Sequence, residues 1–565
     1  MRTNTKIIFC LQLPLLVLAA HVRADYQDDI AYSSLKSELL ASGNAVPDGS
    51  GVKVAQVEAS ASVGDTIFAP EPNDPALWGK SFTYPGLTAC ATLPCLPSVY
   101  SGHATGVART FYGNTQSMAR SISDIYSYDV NQWIASLYNS GSLTATTGNR
   151  RIANHSWVST SSSASDGAIL RLVDRQVERN EYIQVGATSA RLLGNAYNVI
   201  AVGLTNSTTA YSSAAIDSHY VAGRAITDLV APAGYLSDAT PIVAAATALL
   251  VQAGHQQTAL SLGSSAISGV GTVYNAERSE TIKALLMAGA DKATANGSGY
   301  GNIEDYRAAG RQTDNGLDSR YGAGQLNIDN SYRMLAAGER NSEEDGGGEI
   351  GEVGFDYDPS FGGGNGSNST ASYPFIPAAS ERVDATLVWN VGVGNTSALT
   401  PTIHHLALSL VDVSDGHAVL SSSASLLDNT QSITWDNLIA GHQYKLLVSS
   451  LESTGFKWDY ALAWRRSENS DSDADGVPDK LDNCTLLANA NQRDTDGDGY
   501  GNRCDPDFNQ NQIVDPTDFS RMKVKLGTAS ELEDLNGNGI VDPMDFSILK
   551  STLGKVPGPS GLVAN

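Results

Sequence analysis

The sequence predicts an α/β domain with a largely parallel sheet, followed by an antiparallel β-sandwich and a cation-binding tail. In the first part, short apolar runs such as VKVAQV and NVIAVG alternate with longer helix-like stretches such as TPIVAAATALLVQAG. Strands interleaved with helices indicate a sheet that is covered on both faces. In the middle part, apolar and polar residues alternate along short segments, which indicates antiparallel strands with one buried face. Near the end, aspartates recur at a fixed spacing.

The changes in composition divide the 565 residues into six segments. We expect a signal peptide at 1–24, an α/β domain at 25–339, an acidic Gly/Ser-rich linker at 340–372, the β-sandwich at 373–466, and two aspartate-rich segments at 467–505 and 506–565. A chain of this length exceeds what one hydrophobic core usually organises. A single small binding module is therefore excluded.

The charge of the chain is strongly negative, with 36 Lys and Arg against 60 Asp and Glu and a net charge of −24. Residues 468–545 contain 18 acidic and 6 basic side chains, so this short stretch supplies half of the excess. The overall balance argues against nucleic acid as a partner. The local density of acids indicates bound cations.

The N-terminus has the features of a secretory signal. A basic start precedes an apolar run from Ile7 to Ala20, and a small-residue cleavage pattern ends at Ala24. The run is short and is broken by Gln12 and Pro14, which disfavours a membrane anchor. We expect a protein that is secreted or associated with the cell surface and has no transmembrane anchor.

Four cysteines remain after removal of the signal, namely Cys90, Cys95, Cys484 and Cys504. They form two local pairs, and an exported protein reaches an oxidising compartment. We predict one disulfide between Cys90 and Cys95 and another between Cys484 and Cys504.

Three polar residues stand at junctions between predicted elements: Glu58 after the strand GVKVAQV, His103 in SGHATGVA, and Ser237 just before a long apolar helix. Taken singly, none of them is specific, because a Ser in front of a helix is most often an N-cap. Together, a hydroxyl, an imidazole and a carboxylate can act as nucleophile, base and orienting acid in acyl transfer.

The order of these residues and the segments around them resemble the subtilases, the subtilisin-like serine proteases. GVKVAQVEAS is similar to the family's acid segment, HATGVA to its histidine box, and DLVAPAGYLSDATPIVAAATALL to its nucleophile segment. ANHSW, NVIAVGLTNSTTAYSS and RYGAGQLNIDNS match further family segments in the expected order. The resemblance spans residues 49–338 and implies a subtilisin-like parallel-sheet domain that hydrolyses protein or peptide substrates.

The resemblance implies that Ser237 is the nucleophile, His103 the general base, and Glu58 the carboxylate that orients the imidazole. It also implies that Asn154 and Ser156 lie on a strand edge that pairs with an extended substrate. The helix that begins at Ser237 would direct free N–H groups toward the oxyanion.

The chain departs from the family at two of these positions. Glu58 replaces an Asp, which lengthens the side chain by one methylene group but keeps the carboxylate. Ala187 and Thr188 stand where the family has Gly and the oxyanion-binding Asn, so Thr188 is the candidate donor, and Asn195 lies too near the next strand. Loss of one such donor lowers kcat about 10²–10³-fold.

Two other functions are weighed against a peptidase. The first is a catalytically inactive adhesion or scaffold protein that keeps the same fold. The second is an esterase, which is disfavoured because no Gly-x-Ser-x-Gly elbow surrounds Ser237.

The acidic tail repeats one ligand spacing four times. Oxygen donors at positions 1, 3, 5, 7, 9 and 12 of a loop surround Ca²⁺, with a main-chain carbonyl at position 7. The side-chain ligands predicted on this basis are Asp471, Asp473, Asp475, Asp479 and Asp482; Asp494, Asp496, Asp498, Asn502 and Asp505; Asp507, Asn509, Asn511, Asp515 and Asp518; and Asp534, Asn536, Asn538, Asp542 and Asp545. A disordered acidic tail is the alternative, and four repetitions of one spacing disfavour it.

The first two loops resemble thrombospondin type 3 repeats. The last two, whose first aspartates lie 27 residues apart and which are each followed by a short helix, resemble a type I dockerin. This resemblance implies Ca²⁺ as the cofactor, a cohesin-like docking protein as the partner, and a bacterial origin. Gln512 stands where the sharp turn favours Gly, whereas Gly539 meets that requirement, so we expect weaker binding at the third loop.

The sandwich loosely resembles β-domains that accompany secreted proteases, as a spacer or as a substrate-binding element.

Overall fold

The computed structural model describes residues 26–563 except 61–66, 86–98, 139–148, 159–163, 189–192, 207–211, 363–367, 397, 469–471, 474, 476, 478, 480 and 481. The predicted signal peptide, the Cys90–Cys95 disulfide and the ligand Asp471 lie outside the described residues. The chain divides into two compact units. The main unit holds the α/β part and most of the sandwich, and the tail unit holds residues 467–565 with the short segments 377–382 and 436–441.

A seven-stranded sheet organises the α/β part of the main unit. Its strands are β1 (Val54–Glu58), β2 (Ser81–Thr83), β3 (Asp124–Asp129), β4 (Ile152–His155), β5 (Ile183–Ala187), β6 (Ile200–Leu204) and β7 (Leu229–Ala231). The spatial order is β2-β3-β1-β4-β5-β6-β7, and all neighbours are parallel. The predicted parallel sheet is confirmed.

Helices cover both faces of this sheet. They are α1 (Tyr26–Asp29), α2 (Tyr32–Ala41), α3 (Gly102–Tyr112), α4 (Val130–Tyr138), α5 (Ala164–Asn180), α6 (Leu236–Gln256), α7 (Ser279–Gly289) and α8 (Ile328–Ala336). A short antiparallel pair, β8 (Ser264–Ile267) and β9 (Gly271–Tyr274), lies between α6 and α7. Neighbouring side chains of β1 point to opposite faces. Val54 accordingly packs in the core that contains α6, while Ala55 packs in the core that contains α4 and α5.

Helix α6 is the central core helix. Its residues from Ala239 to Gly254 are all buried. By length and composition this helix could cross a membrane, but 83% of its most apolar window is buried inside the protein, as a core helix requires.

The strand order places a crevice beside β1. Its two neighbours, β3 and β4, lie on opposite sides, with Glu58 opposite Asp129 and Val57 opposite His155. Where connections diverge in this way, a crevice opens at the carboxyl ends of the strands, which is where α/β proteins bind ligands. Glu58 is the last residue of β1 and therefore borders that crevice.

Two four-stranded sheets form the predicted sandwich, with the orders β10-β19-β12-β17 and β11-β18-β15-β16. The strands are β10 (Val353–Phe361), β11 (Thr370–Phe375), β12 (Glu381–Val388), β13 (Gly392–Val393), β14 (Pro401–Thr402), β15 (Leu406–Asp412), β16 (Ala418–Ser423), β17 (Thr430–Leu438), β18 (Tyr444–Ser450) and β19 (Trp458–Glu468). Strands β13 and β14 pair with each other. The pairs β10–β19, β11–β18 and β15–β18 are antiparallel, so the predicted antiparallel fold of this region is confirmed.

The segment 340–372, which we expected to be a linker, contains strand β10, and this corrects the expectation. Phe355 pairs with Ala463, and Tyr357 pairs with Ala461. Phe355 and Tyr357 are buried in the core cluster that also contains the side chains of α6. Apolar residues at every second position give β10 a buried face, which the high Gly and acid content of the segment concealed.

Buried polar groups also join the sandwich to the α/β part. The Asn390 side chain donates to Glu280 Oε1 (2.6 Å) and to the Ser279 hydroxyl (3.0 Å). Glu280 is 2% exposed. Burial, reinforced by the charges of Glu181 and Asp459, raises the pKa of Glu280 well above its usual range. This interface therefore contains a carboxyl group whose surroundings favour its neutral form and raise its pKa.

The tail unit has little apolar core. Helices α9 (Pro516–Lys525) and α10 (Pro543–Thr552) each follow a capping Asp and have Pro at the first helical position. The buried apolar cluster comprises Phe508, Val514, Met522, Leu535, Val541 and Leu549. The predicted disulfide between Cys484 and Cys504 is confirmed.

We predict that Glu280→Gln stabilises the protein at alkaline pH. An acid whose pKa is raised in the folded state binds more protons folded than unfolded, so its contribution to stability falls as pH rises above the ordinary Glu pKa of about 4.3. The side-chain amide of Gln cannot ionise, so the Glu280→Gln variant does not lose stability in this way as pH rises. Thermal unfolding followed from pH 5 to pH 9 should show a shallower alkaline decline for Glu280→Gln than for wild type. The exposed Glu349→Gln should match wild type, and an equal decline for all three proteins would refute the prediction.

Candidate functional site

Glu58 and His103 meet at the crevice. Glu58 Oε2 lies 3.1 Å from His103 Nδ1. The Glu58 side chain is 2% exposed and the His103 side chain is 51% exposed, so a buried acid faces an accessible ring. A carboxylate at Nδ1 holds the proton on that nitrogen and leaves Nε2 free to act as a base. His103 is the second residue of α3, and the Ser101 hydroxyl accepts from the Ala104 N–H at the start of that helix.

Two buried residues that the sequence analysis missed support this acid. The Gln56 side chain donates to Glu58 Oε1 (2.9 Å) and to the carbonyl of Ala104 in α3 (2.8 Å). The Tyr112 hydroxyl donates to Gln56 Oε1. Gln56 therefore ties strand β1 to helix α3 and fixes the carboxylate. A sequence signal existed, because Gln56 precedes Glu58 by two residues and so shares its face of the strand.

The protonation of His103 is set by charges on both sides of the crevice. Burial lowers the pKa of His103, but the charge and hydrogen bond of Glu58, with a further contribution from the charge of Asp238, raise it above its usual value. Burial raises the pKa of Asp238, and the charge of His103 partly offsets this effect. Asp238 lies in the first turn of α6, directly after Ser237.

Ser237 is the second residue of α6 and is partly exposed. Its carbonyl accepts a hydrogen bond from the Ser156 hydroxyl (3.0 Å), which brings the start of α6 to the carboxyl end of β4. Within the described part of the chain, its own hydroxyl makes no hydrogen bond to the His103 ring. Catalytic hydrogen bonds are often long without substrate and tighten in the complex.

The expected substrate-pairing edge needs a correction at Asn154. This residue lies in β4 and pairs with Gln56 on one side and with Val185 on the other. Because β4 is an interior strand, its main chain has no open hydrogen bonds for a substrate. Ser156 lies one residue beyond the strand and is 5% exposed. The main chain of Asn154 is therefore not available to pair with a substrate.

The predicted oxyanion donor Thr188 does not face open space. It is fully buried, its N–H donates to the carbonyl of Val202 (2.9 Å), and its hydroxyl has no hydrogen-bond partner among the described residues. Asn195 is also buried and accepts from the N–H of Ala214 (2.7 Å), which is a structural role. In the first turn of α6, the N–H groups of Asp238 and Ala239 donate to the carbonyl of Tyr235. The N–H groups of Leu236 and Ser237 have no acceptor among the described residues and remain as candidate donors.

Acidic clusters in the tail unit can hold a metal ion. Carboxylate oxygens of Asp473, Asp475 and Asp482 lie within 4.8 Å of one another, as do those of Asp494, Asp496 and Asp498. Burial, together with the charges of neighbouring aspartates in the same loop, raises the pKa of Asp505 to about 8. Oxygen donors crowded in this way suit a hard cation such as Ca²⁺.

The third and fourth loops repeat one geometry. The position-12 residues Asp518 and Asp545 are both fully buried and accept N–H groups from positions 3 and 9 of their own loops. At position 6, Gln512 has φ of 68° and Gly539 has φ of 92°. The sharp turn that the sequence analysis inferred at position 6 is therefore present in both loops, and only the fourth has Gly there.

No protein-family model matches the chain, and no curated protein matches it at a significant level. Among solved structures, the nisin leader peptidase NisP from Lactococcus lactis is 15% identical, with 55% of this chain and 94% of that one covered and a TM-score of 0.31. The PatG macrocyclase in complex with peptide is 10% identical, with 55% of this chain and 97% of that one covered and a TM-score of 0.31. Tripeptidyl peptidase 2 is 11% identical, with 64% of this chain and 40% of that one covered and a TM-score of 0.25. These similarities are too distant to assign an activity, which depends on the geometry of the site.

Proposed function

We propose that the protein is a secreted serine endopeptidase that uses Ser237, His103 and Glu58. The contact between Glu58 and His103 supports this most strongly, because a buried carboxylate oriented by Gln56 holds an accessible imidazole. The resemblance of residues 49–338 to the subtilases supplies the substrate class, a peptide bond.

In this mechanism, His103 Nε2 accepts the Ser237 proton as the serine oxygen attacks the peptide carbonyl. Glu58 stabilises the imidazolium that forms, and the imidazolium then gives the proton to the leaving amine. N–H groups at the start of α6 stabilise the oxyanion, aided by the helix dipole. Water then hydrolyses the acyl-enzyme by the same route.

The rival proposal is a catalytically inactive adhesion or scaffold protein. The burial of Thr188 favours it, because one oxyanion donor expected from the family is then missing. Reaction of Ser237 with an activated phosphonate separates the two functions, since it requires a nucleophile activated by a base.

We expect a fluorophosphonate probe to label the wild-type protein and to leave Ser237→Ala unlabelled. Hydrolysis of a denatured generic protein substrate should fall at least about 10³-fold in the same variant, because the nucleophile is lost. Ser409→Ala, a change at a half-buried position of the sandwich strand β15, should behave as wild type. Absence of labelling in folded, calcium-loaded wild-type protein would assign the scaffold function instead.

We expect Asp238→Asn to shift the acid limb of the kcat/KM profile to lower pH. The charge of Asp238 helps to raise the pKa of His103, and only the neutral imidazole can act as the base. Removing that charge lowers the pKa of His103, so activity appears at lower pH. The exposed Asp314→Asn should leave the profile unchanged. A profile for Asp238→Asn that coincides with that of wild type would contradict this account.

We further propose that Ca²⁺ fills the four tail loops and that the tail docks a cohesin-like protein. The acidic clusters and the buried carboxylates Asp518 and Asp545 supply suitable oxygen donors. Exposed apolar side chains on and beside the two helices offer a contact surface, with Val524, Met544 and Val556 exposed by 79%, 64% and 69%.

We expect Gln512→Gly to tighten Ca²⁺ binding at the third loop by roughly five- to thirtyfold. A left-handed conformation costs a non-Gly residue about 1–2 kcal/mol, and Gly removes that cost. The reciprocal Gly539→Gln should weaken the fourth loop by a similar factor. Calcium titration calorimetry on the full chain measures both changes, and unchanged affinity in both variants would refute the assignment of these two positions.

A further inference from the structure

The helix that carries Ser237 lacks one of its own hydrogen bonds. In an α-helix, the carbonyl of residue 237 would accept the N–H of residue 241. Residue 241 is Pro, which lies buried inside α6 and has no N–H. The Ser237 carbonyl is therefore left without its helical donor.

The Ser156 hydroxyl supplies the missing donor. Ser156 Oγ donates to the Ser237 carbonyl over 3.0 Å. The side-chain amide of Asn154 in turn donates to Ser156 Oγ, also over 3.0 Å. Because Asn154 occupies the acceptor side of that oxygen, the hydroxyl hydrogen is directed at Ser237. Asn154 is fully buried in the interior strand β4, so this hydrogen-bonded chain is anchored in the sheet.

We propose that Ser156, oriented by Asn154, is a positioning residue that fixes the main chain of Ser237 relative to the sheet. The inference rests on the proposed function, since it takes Ser237 as the nucleophile. Pro241 frees the carbonyl, and Ser156 fastens it to the strand that borders the crevice. The first turn of α6 is thereby held against β4, next to the strand that carries Glu58.

The position of Ser237 affects the rate of the proposed reaction. A nucleophile must stay close to its base and aligned with the substrate, and a displacement of about 1 Å can lower the rate about 10²-fold. Without the Ser156 hydroxyl, the first turn of α6 can shift, and the Ser237 carbonyl loses its partner. The hydroxyl of Ser237 would then spend less time in line with His103.

A double-mutant cycle between residues 156 and 241 tests the inference. We expect Ser156→Ala to lower both kcat and the rate of fluorophosphonate labelling about tenfold with little change in KM. Ser156→Thr keeps the hydroxyl and should recover most of the labelling rate. In the Pro241→Ala background, residue 241 regains an N–H that can donate to the Ser237 carbonyl. The loss caused by Ser156→Ala should shrink there to about two- to threefold.

A matched control is Ser117→Ala, which removes another buried hydroxyl that donates to a carbonyl, that of Phe111, over 2.5 Å. It should lower Tm without changing the labelling rate. Equal losses from Ser156→Ala in the two backgrounds would overturn the inference. A labelling rate for Ser156→Ala within twofold of wild type would do the same.

The same cycle separates this inference from the proposed function. If the protein folds but the probe labels neither the wild type nor Pro241→Ala, the proposed function is refuted, and the positioning role is refuted with it. The coupling between residues 156 and 241 in thermal unfolding still reports the hydrogen bond itself, because that measurement needs no activity.

Discussion

The buried carboxylate of Glu58 constrains the rest of the candidate site. A charged group taken out of water is strongly destabilising unless hydrogen bonds and an opposite charge compensate it. Gln56 and His103 provide that compensation, and both depend on the position of α3 against β1. The strand order adds the crevice, because β3 and β4 flank β1 on opposite sides. The packing of α3 against β1 therefore both buries this edge of the sheet and orients the imidazole of His103.

The sandwich belongs to the same folding unit as the α/β part. Phe355 and Tyr357 of β10 pack in the cluster that contains α6, the helix of Ser237. Asn390 adds hydrogen bonds to Ser279 and Glu280 at the same boundary. A simple spacer would not share a core with its neighbour. The sandwich is therefore better understood as a support for α7 and α8, and through them for the core around α6.

Sequence reasoning located the elements better than the contacts between them. The fold class follows from strand and helix periodicity, whereas the pairing of Glu58 with His103 was implied by the resemblance to the subtilases. Gln56 was missed because a buried amide in an apolar strand has no motif. Asn154 was assigned to an open edge because sequence does not tell which strands flank β4, and its neighbours are β1 and β5. Strand β10 was missed because composition outweighed the alternation of Val353, Phe355 and Tyr357.

The tail follows a different physical rule from the main unit. Its apolar cluster is small, so apolar burial alone supplies little stability. The segment near the C-terminus returns to the first two loops, where the Thr485 N–H donates to the Pro559 carbonyl and the Gly558 N–H donates to the Cys504 carbonyl, each over 3.1 Å. The two tail segments expected from the sequence therefore fall in one compact unit. If Ca²⁺ fills the loops as proposed, metal binding and folding of the unit are linked, and an ion held in one loop favours the geometry of the others.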